Sequence, residues 1–425
     1  MELDLPVIIG LVVFVATYVL IATERIHKTI AAMAGGTMMI LLGVVSQEQA
    51  FAHIDFNVIF LLAGMMILAG IIRKTGVFGW MAVRAARFAA GDGYRILVVM
   101  CVITAVASAF LDNVTTVVLV GPITLFLAAR LGMNPVPLII SEILASNIGG
   151  MATLIGDPPN ILIGSAANID FDAFVLNMGP LAALILALFL VSARWLFRTQ
   201  LSVDLDLRDS LLALDEREMI TDRSLLRKSM VVLGLTLVGF VLHGPLGYEP
   251  ATVALTGAVA LMLVAREDPH DILREVEWPT LFFFIGLFML IAGVIEIGLI
   301  DAIAEALTSV TGGALAAGSF VILWLSAVLS GVVDNIPYTA TMIPVVSEMS
   351  QPHTPSQVLW WSLAAGADLG GNFTIIGASA NVILASMAER EGHPISFVTF
   401  LRYAAPVTIG SILVSMAYLW VRYLV

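Results

Sequence analysis

Apolar runs of roughly the 20 residues that cross a bilayer recur along this chain, centred near 5–22, 29–46, 56–72, 135–166, 176–196, 229–243, 250–265, 279–295, 357–388 and 403–422. In hydrocarbon a backbone must satisfy its own hydrogen bonds, so the runs are expected to be helices. This predicts an all-α polytopic membrane protein with ten crossings. Two further apolar regions, 96–130 and 315–349, are interrupted midway by LDNVTT and VDNIPYT. Polar backbone at membrane depth survives only when buried in protein or facing a cavity, so these regions read as re-entrant helical hairpins. Composition agrees: 60% of residues are hydrophobic and 12% charged, with a mean hydropathy of +1.00. Soluble domains are near half apolar and a quarter charged, which argues against a soluble enzyme.

The charges test the count, since basic residues gather in cytoplasmic loops. With the N-terminus outside, 19 of the 20 Lys and Arg residues, from Arg25 and Lys28 to Arg390 and Arg402, fall on the cytoplasmic side, and only Arg422 falls outside. Both termini are therefore expected to be extracytoplasmic. MELDLPVIIG carries Glu2 and Asp4 where a cleavable signal would be basic, so the first apolar segment is expected to stay in the protein. The net charge of −12 removes the basic surface that nucleic acid would need. Cys101, the one cysteine, forms no internal disulfide and no thiolate metal cluster. Residues 198–228 form a charged cytoplasmic linker, read as partly helical.

The second half repeats the first. DFNVIFLLAGMMILAGIIRKTG at 55–76 matches EWPTLFFFIGLFMLIAGVIEIG at 277–298, 222 residues on, and Asp112-Asn113 matches Asp334-Asn335 at the same offset. SNIGGMATLIGDPPN at 146–160 matches ADLGGNFTIIGASAN at 367–381, 221 residues on. The N-terminal repeat spans 1–197 and the C-terminal repeat 229–425. Each holds five crossings, one of them discontinuous, and one hairpin. An odd number of crossings inverts the second copy, the pattern of secondary transporters. No GxxxxGK[ST] string occurs, which argues against an ATP-driven pump in this chain alone.

The hairpin tips carry Asp112, Asn113, Thr115 and Thr116 in one copy and Asp334, Asn335, Thr339 and Thr341 in the other. An Asp-Asn pair can simply cap a helix break. A carboxylate within an apolar hairpin is expensive, and its recurrence at the same repeat position points to a binding site between the two breaks. The second pair of breaks lies in the fourth crossing of each repeat. Asn147, Gly149, Gly150, Thr153, Gly156, Asp157, Pro158, Pro159 and Asn160 interrupt the first copy; Asp368, Gly370, Gly371, Thr374, Gly377, Ser379 and Asn381 interrupt the second. Pro removes a donor and Gly permits any turn, so each repeat gains two half-helices whose ends face whatever sits between them.

Asp112, Asp157, Asp334 and Asp368 thus place four acids near mid-membrane, with no Lys or Arg expected beside them. Glu142, five residues before Asn147, is either a fifth member or lies a turn from the membrane surface. Such an inventory repels a multiply charged anion; it favours a neutral polyol-like solute or a cation, and clustered carboxylates suit proton carriage. Elsewhere, His53, His243, His270, His353 and His393 sit at loops or span ends without metal-ligand spacing, Trp360-Trp361 suits an interface or a helix contact, and Gly35-Gly36 suits close helix packing. No metal or cofactor is expected.

At SNIGGMATLIGDPPNILIG, the doubled Asp-Asn tips and DLGGNFTIIGASANV, the chain resembles the ion transporter superfamily, specifically the ArsB and NhaD group that includes the pigmentation-related P proteins. The resemblance covers nearly the whole chain. It implies a scaffold and a transport domain, usually in a homodimer, with elevator-like movement. Dicarboxylate carriers of the wider superfamily have a Ser-Asn-Thr tip, whereas the tips here read Asp-Asn-Val-Thr and Asp-Asn-Ile-Pro-Tyr-Thr. Chain length and the GDPPN string are more like the ArsB branch, implying export of arsenite and antimonite across the cytoplasmic (inner) membrane in exchange for protons. Arsenite is an uncharged trihydroxide that the Asn and Thr residues of the breaks complement. A sodium/proton antiporter is the alternative, and a membrane anchor for a cytoplasmic ATPase, docked on 198–228, is a third reading. Since one cysteine cannot supply a thiolate site for trivalent arsenic, Cys101→Ser is expected to retain transport; complete loss of arsenite efflux in that variant would argue otherwise.

Overall fold

The computed structural model describes residues 4–23, 25–89, 91–197, 200–201, 219–350 and 357–425. Arg198, Arg208, Arg217, His353 and most of the 198–228 linker lie outside the described residues. Among the described residues the secondary structure is helical throughout, without strands. The first half contains α1 (Leu5–Thr23), α2 (Lys28–Leu41), α3 (Gln47–Ala52), α4 (Phe56–Arg73), α5 (Val77–Phe88), α6 (Gly93–Leu111), α7 (Asn113–Arg130), α8 (Val136–Gly150), α9 (Pro158–Ala167) and α10 (Phe171–Leu196). The second contains α11 (Arg223–Leu246), α12 (Pro250–Ala265), α13 (Pro269–Leu273), α14 (Trp278–Glu296), α15 (Leu299–Thr311), α16 (Leu315–Ser330), α17 (Asn335–Met349), α18 (Val358–Gly370), α19 (Ser379–Arg390) and α20 (Phe397–Leu419). A π-helical turn, Trp420–Leu424, extends α20. The element order of the first half recurs in the second.

Among the described residues, eight helices are long and apolar enough to cross a membrane, counting α20 with its extension; α2, α8, α12 and α16 are apolar but shorter. At 14 residues, α2 rises about 21 Å, less than the roughly 30 Å hydrocarbon core. It tolerates this because it packs along α14. The predicted run 29–46 accordingly holds α2 and a turn that ends at Ser46, the N-cap of α3. The amphipathic helices α5 and α15, each preceding a hairpin, fall where the sequence reading had only connections. Phe78, Val83 and Ala85 bury one side of α5, and Ile300 and Ala304 one side of α15. Their polar faces had masked them among the long apolar runs.

Small residues set the packing. A Cβ on Gly36 would meet the Gly286 carbonyl at 2.6 Å, and one on Gly64 the Ala254 backbone at 2.8 Å, so α2 seats on α14 and α4 on α12. These two contacts interchange under the repeat. Gly35-Gly36 therefore acts through close helix contact, as expected. Trp361 is buried and meets Phe174 edge-on, so that tryptophan makes a helix contact rather than an interface belt.

The hairpin arms follow the same rule. A Cβ on Gly370 of α18 would lie 2.6 Å from the Ala327 carbonyl oxygen and 2.7 Å from its Cα on α16. Gly149 on α8 bears the same relation to Ala105 on α6. Neither backbone can yield locally, so Gly370→Ala is expected to destabilise the fold by about 1–3 kcal/mol through overpacking. Gly410→Ala on α20 meets nothing within 4 Å and should be neutral or slightly stabilising. Thermal unfolding of the detergent-purified variants measures both; equal melting of Gly370→Ala and the parent would refute the packing argument.

Candidate functional site

Each hairpin turns at an Asp that begins its second arm: Asp112 directly joins α6 to α7, whereas Gly331, Val332 and Val333 separate α16 from Asp334. Asp112 makes its turn at φ +68°, a left-handed conformation uncommon outside glycine. Its side chain repays the turn by accepting from Thr115 N at 2.9 Å and Thr115 Oγ1 at 2.6 Å. Asp334 accepts from Ile336 N at 3.1 Å. Capping thus engages both oxygens of Asp112 but only one of Asp334, and it does not account for the rest of the arrangement.

Between α8 and α9, and between α18 and α19, the broken helices are held open by a repeated set of side-chain staples. Asn160 Nδ2 donates to the carbonyls of Gly150 at 3.1 Å and Thr153 at 3.2 Å; Asn381 Nδ2 donates to those of Gly371 at 2.7 Å and Thr374 at 2.9 Å. Thr153 Oγ1 donates to the Ala109 carbonyl, and Thr374 Oγ1 to that of Gly331 at 2.6 Å. These bonds satisfy carbonyls that the breaks free, as membrane depth demands. Asn160, Asn381, Thr153 and Thr374 thereby shape the breaks and tie them to the hairpins.

The remaining amides join the two halves. Asp157, wholly buried, accepts from Asn113 Nδ2 at 2.7 Å on one carboxylate oxygen and from Asn335 Nδ2 at 3.2 Å on the other. One carboxylate therefore holds both hairpin tips. Asn113 Nδ2 also lies 3.3 Å from Asn147 Oδ1, and Asn147 Nδ2 donates to Asn381 Oδ1 at 3.0 Å and Asn372 Oδ1 at 2.9 Å. Asn372, in the GGNFT string, was not singled out from sequence; its partner position in the first copy is Met151, so the duplication hid it. Asp368 is wholly buried and lies beside Asn160, but neither of its oxygens receives a hydrogen bond. Glu142 is buried, 2.5 Å from Thr124 Oγ1, and faces the second arm of the first hairpin.

One sequence expectation fails. The acids do have a cation beside them: Lys28 Nζ lies 2.7 Å from Asp334 Oδ2 and 2.5 Å from Ser379 Oγ, while Ser379 Oγ donates to the same Asp334 oxygen at 2.8 Å. Lys28 begins α2, 306 residues away in sequence, and was assigned to a loop by its place at a span end. Its long side chain instead reaches the second tip. Tyr18 Oη on α1 donates to the Pro337 carbonyl at 2.7 Å and contacts Thr341, so α1 and α2 both hold that hairpin.

A cavity of about 470 Å³ reaches the tips, lined by Lys28, Asp112, Pro158, Glu277, Ile336 and Ser379 among others. A smaller cavity of about 250 Å³ occupies the repeat-related place, with Asn57, Ile161 and Pro250 in its wall, and is not lined by the tip acids. The site therefore communicates with the face at which α2 and α14 begin. Glu277 in this wall adds a further acid, outside the four anticipated.

Removing the ammonium of Lys28 would leave Asp334, whose side chain is 12% exposed, with the Ser379 hydroxyl and its own cap. Lys28→Ala is expected to cost about 1–3 kcal/mol, the penalty for stranding a partly buried polar partner. The double variant Lys28→Ala/Asp334→Ala should then lose less than the sum of the two single changes. Thermal unfolding of the four proteins checks this, and strict additivity would count against the pair.

A profile of the family described as citrate transporters matches residues 18–366. An uncharacterized transporter of Mycobacterium tuberculosis strain H37Rv is 45% identical over 427 residues, covering 98% of this chain and 99% of that protein. The human P protein is 34% identical over 515 residues, covering all of this chain and 61% of its own length. Among solved structures, the crystal structure of the YdaH transporter of Alcanivorax borkumensis, described as having an unusual topology, superposes with a TM-score of 0.55 at 14% identity, covering 98% of both chains; that likeness concerns the fold. With a profile that spans most of its length and whole-length relatives of this identity, the chain belongs to the citrate transporter family of multi-pass membrane transporters.

Proposed function

We propose that the protein is a proton-coupled secondary transporter that exports arsenite and antimonite across the cytoplasmic membrane. The observation that carries this reading is the buried Asp157 held between the amides of both hairpin tips. A site built from a carboxylate, amides and broken-helix backbone offers hydrogen bonds in both directions to a small hydroxide, and acids to move the coupling ion. Lys28 amends the charge inventory without reversing it, because Asp112, Asp157, Asp334, Asp368 and Glu277 outnumber it in or beside the site.

Citrate is the second reading, raised by the family description and by the Lys28 ammonium in the cavity wall. The surplus of carboxylates would repel three further negative charges in a low-dielectric site, which favours the uncharged solute. Sodium/proton exchange remains the alternative on the same carboxylates. In the proposed arrangement the termini are extracytoplasmic, the larger cavity opens to the cytoplasm, two copies form a homodimer and transport is by elevator movement. A cytoplasmic ATPase subunit docked on 198–228 is a further partner to test by pull-down with and without that segment.

The test is flux in everted membrane vesicles energised to an acidic interior. Arsenite accumulation that collapses with an uncoupler, with neither citrate accumulation nor a sodium response of a pH dye, is the expected result. Asp→Asn at Asp112, Asp157, Asp334 or Asp368 should abolish or uncouple it. Proton-driven flux unaltered in all four variants would overturn proton coupling through these groups, and a sodium response alone would move the assignment to a cation antiporter.

A further inference from the structure

Among the contacts between the two repeats that are not reciprocated, one leaves buried atoms without a partner. In one direction, Asn147 at the end of α8 donates to Asn381 Oδ1 at 3.0 Å. The repeat carries Asn147 onto Asp368 and Asn381 onto Asn160, so the reciprocal contact is Asp368 against Asn160, and these two residues are indeed neighbours. Both amide hydrogens of Asn160 are committed to the Gly150 and Thr153 carbonyls. What Asn160 has left is Oδ1, which receives no donor, and both oxygens of the wholly buried Asp368 likewise receive none. Two neighbouring residues thus each hold a buried acceptor without a donor, where the related pair has a donor and an acceptor. One proton on the carboxyl resolves the mismatch, because only the protonated form can donate.

We propose, resting on the proton-coupled reading above, that Asp368 is the group that carries the transported proton, and that in its protonated form it donates to Asn160 Oδ1. The bond so made is the counterpart of the one that Asn147 makes to Asn381. Loss of the proton sets a charged carboxylate against an amide oxygen in a buried site, which disfavours this arrangement of the two halves. Protonation is thereby linked to the contact between the broken helices. The ionisable groups around Asp368 fit this role. Asp157 occupies the N-cap position of α9 without a side-chain capping bond, and Asp368, Asp334 and Asp112 are close enough to repel its charge. On α8 Glu142 is engaged by Thr124, and on α17 Tyr338 is engaged by Ser326, while Glu348 lies at that helix's far end. No ionisable side chain occurs on α9 or α16. Those of α10 (Asp172 and Arg194) and of α20 (Arg402, Tyr403 and Tyr418) lie toward the helix ends.

Infrared difference spectroscopy of the purified protein during acid–base titration reads the carboxyl directly, with no substrate. The expected result is a protonated-carboxyl band that Asp368→Asn removes and Asp112→Asn retains. Asp368→Asn should fold, since its amide can make the missing bond, and proton-driven flux should fall to that of empty vesicles. The exchange variant Asn147→Asp/Asp368→Asn moves the carboxyl to the other repeat and should restore a band. A band unchanged in Asp368→Asn, or proton-driven flux that survives in it, overturns the inference while leaving the proton-coupled reading intact. A band lost in Asp368→Asn with no proton-driven flux of arsenite, citrate or sodium in the parent supports the proton site and refutes the transport reading. A requirement for sodium, with no titrating band in the parent, overturns the inference in favour of a cation between the two acceptors.

Discussion

A helix that stops inside hydrocarbon frees backbone groups that water cannot reach, and every such group must find its partner within the protein. The centre of this molecule is organised by that demand. Asn160 and Asn381 close the two breaks with the same pair of carbonyl contacts, and Thr153 and Thr374 tie each break to the hairpin arm beside it. With those groups satisfied locally, the tip amides are free to reach across, and Asn113 and Asn335 converge on Asp157. The close seating of α8 on α6 and of α18 on α16, which Gly149 and Gly370 permit, brings tips and breaks to one place.

Duplication supplies the frame and divergence supplies the chemistry. The staples obey the repeat, as do the contacts of α2 with α14 and of α4 with α12. The acids do not: Asp157 faces an alanine, Ala378, in the other copy, and Asp368 corresponds to Asn147. The basic partner is also one-sided, since the position related to Lys28 is Pro250, which opens α12 without a charge. A symmetric scaffold thus surrounds an asymmetric polar centre, as a carrier needs if its two faces are to differ in charge and hydrogen bonding.

Much of this was legible beforehand. Doubled Asp-Asn strings within apolar runs and the paired Gly-rich interruptions marked the hairpins and broken helices, because polar residues at membrane depth have few other uses. Less legible were α5 and α15, whose mixed composition at helical spacing does not stand out among long apolar runs. Lys28 was misread because a lysine at a span end ordinarily faces water, and nothing within 300 residues of it in the sequence points to Asp334. Asn372 escaped because its counterpart is a methionine, so the comparison of repeats discounted it.

By itself the sequence determined the helical membrane class, the doubling of the chain and the residues that interrupt its helices, since hydropathy, periodicity and internal likeness are local properties of a polymer in a low-dielectric solvent. Only the tertiary structure decided which of those residues meet. Asp157 reaching the second tip, Lys28 on Asp334, and Asp368 beside an amide that has no hydrogen left to give join segments far apart in the sequence, 178 residues in the first case and 306 in the second. They depend on which helices pack closely enough to touch, and that is set by the whole arrangement of small residues rather than by any one string.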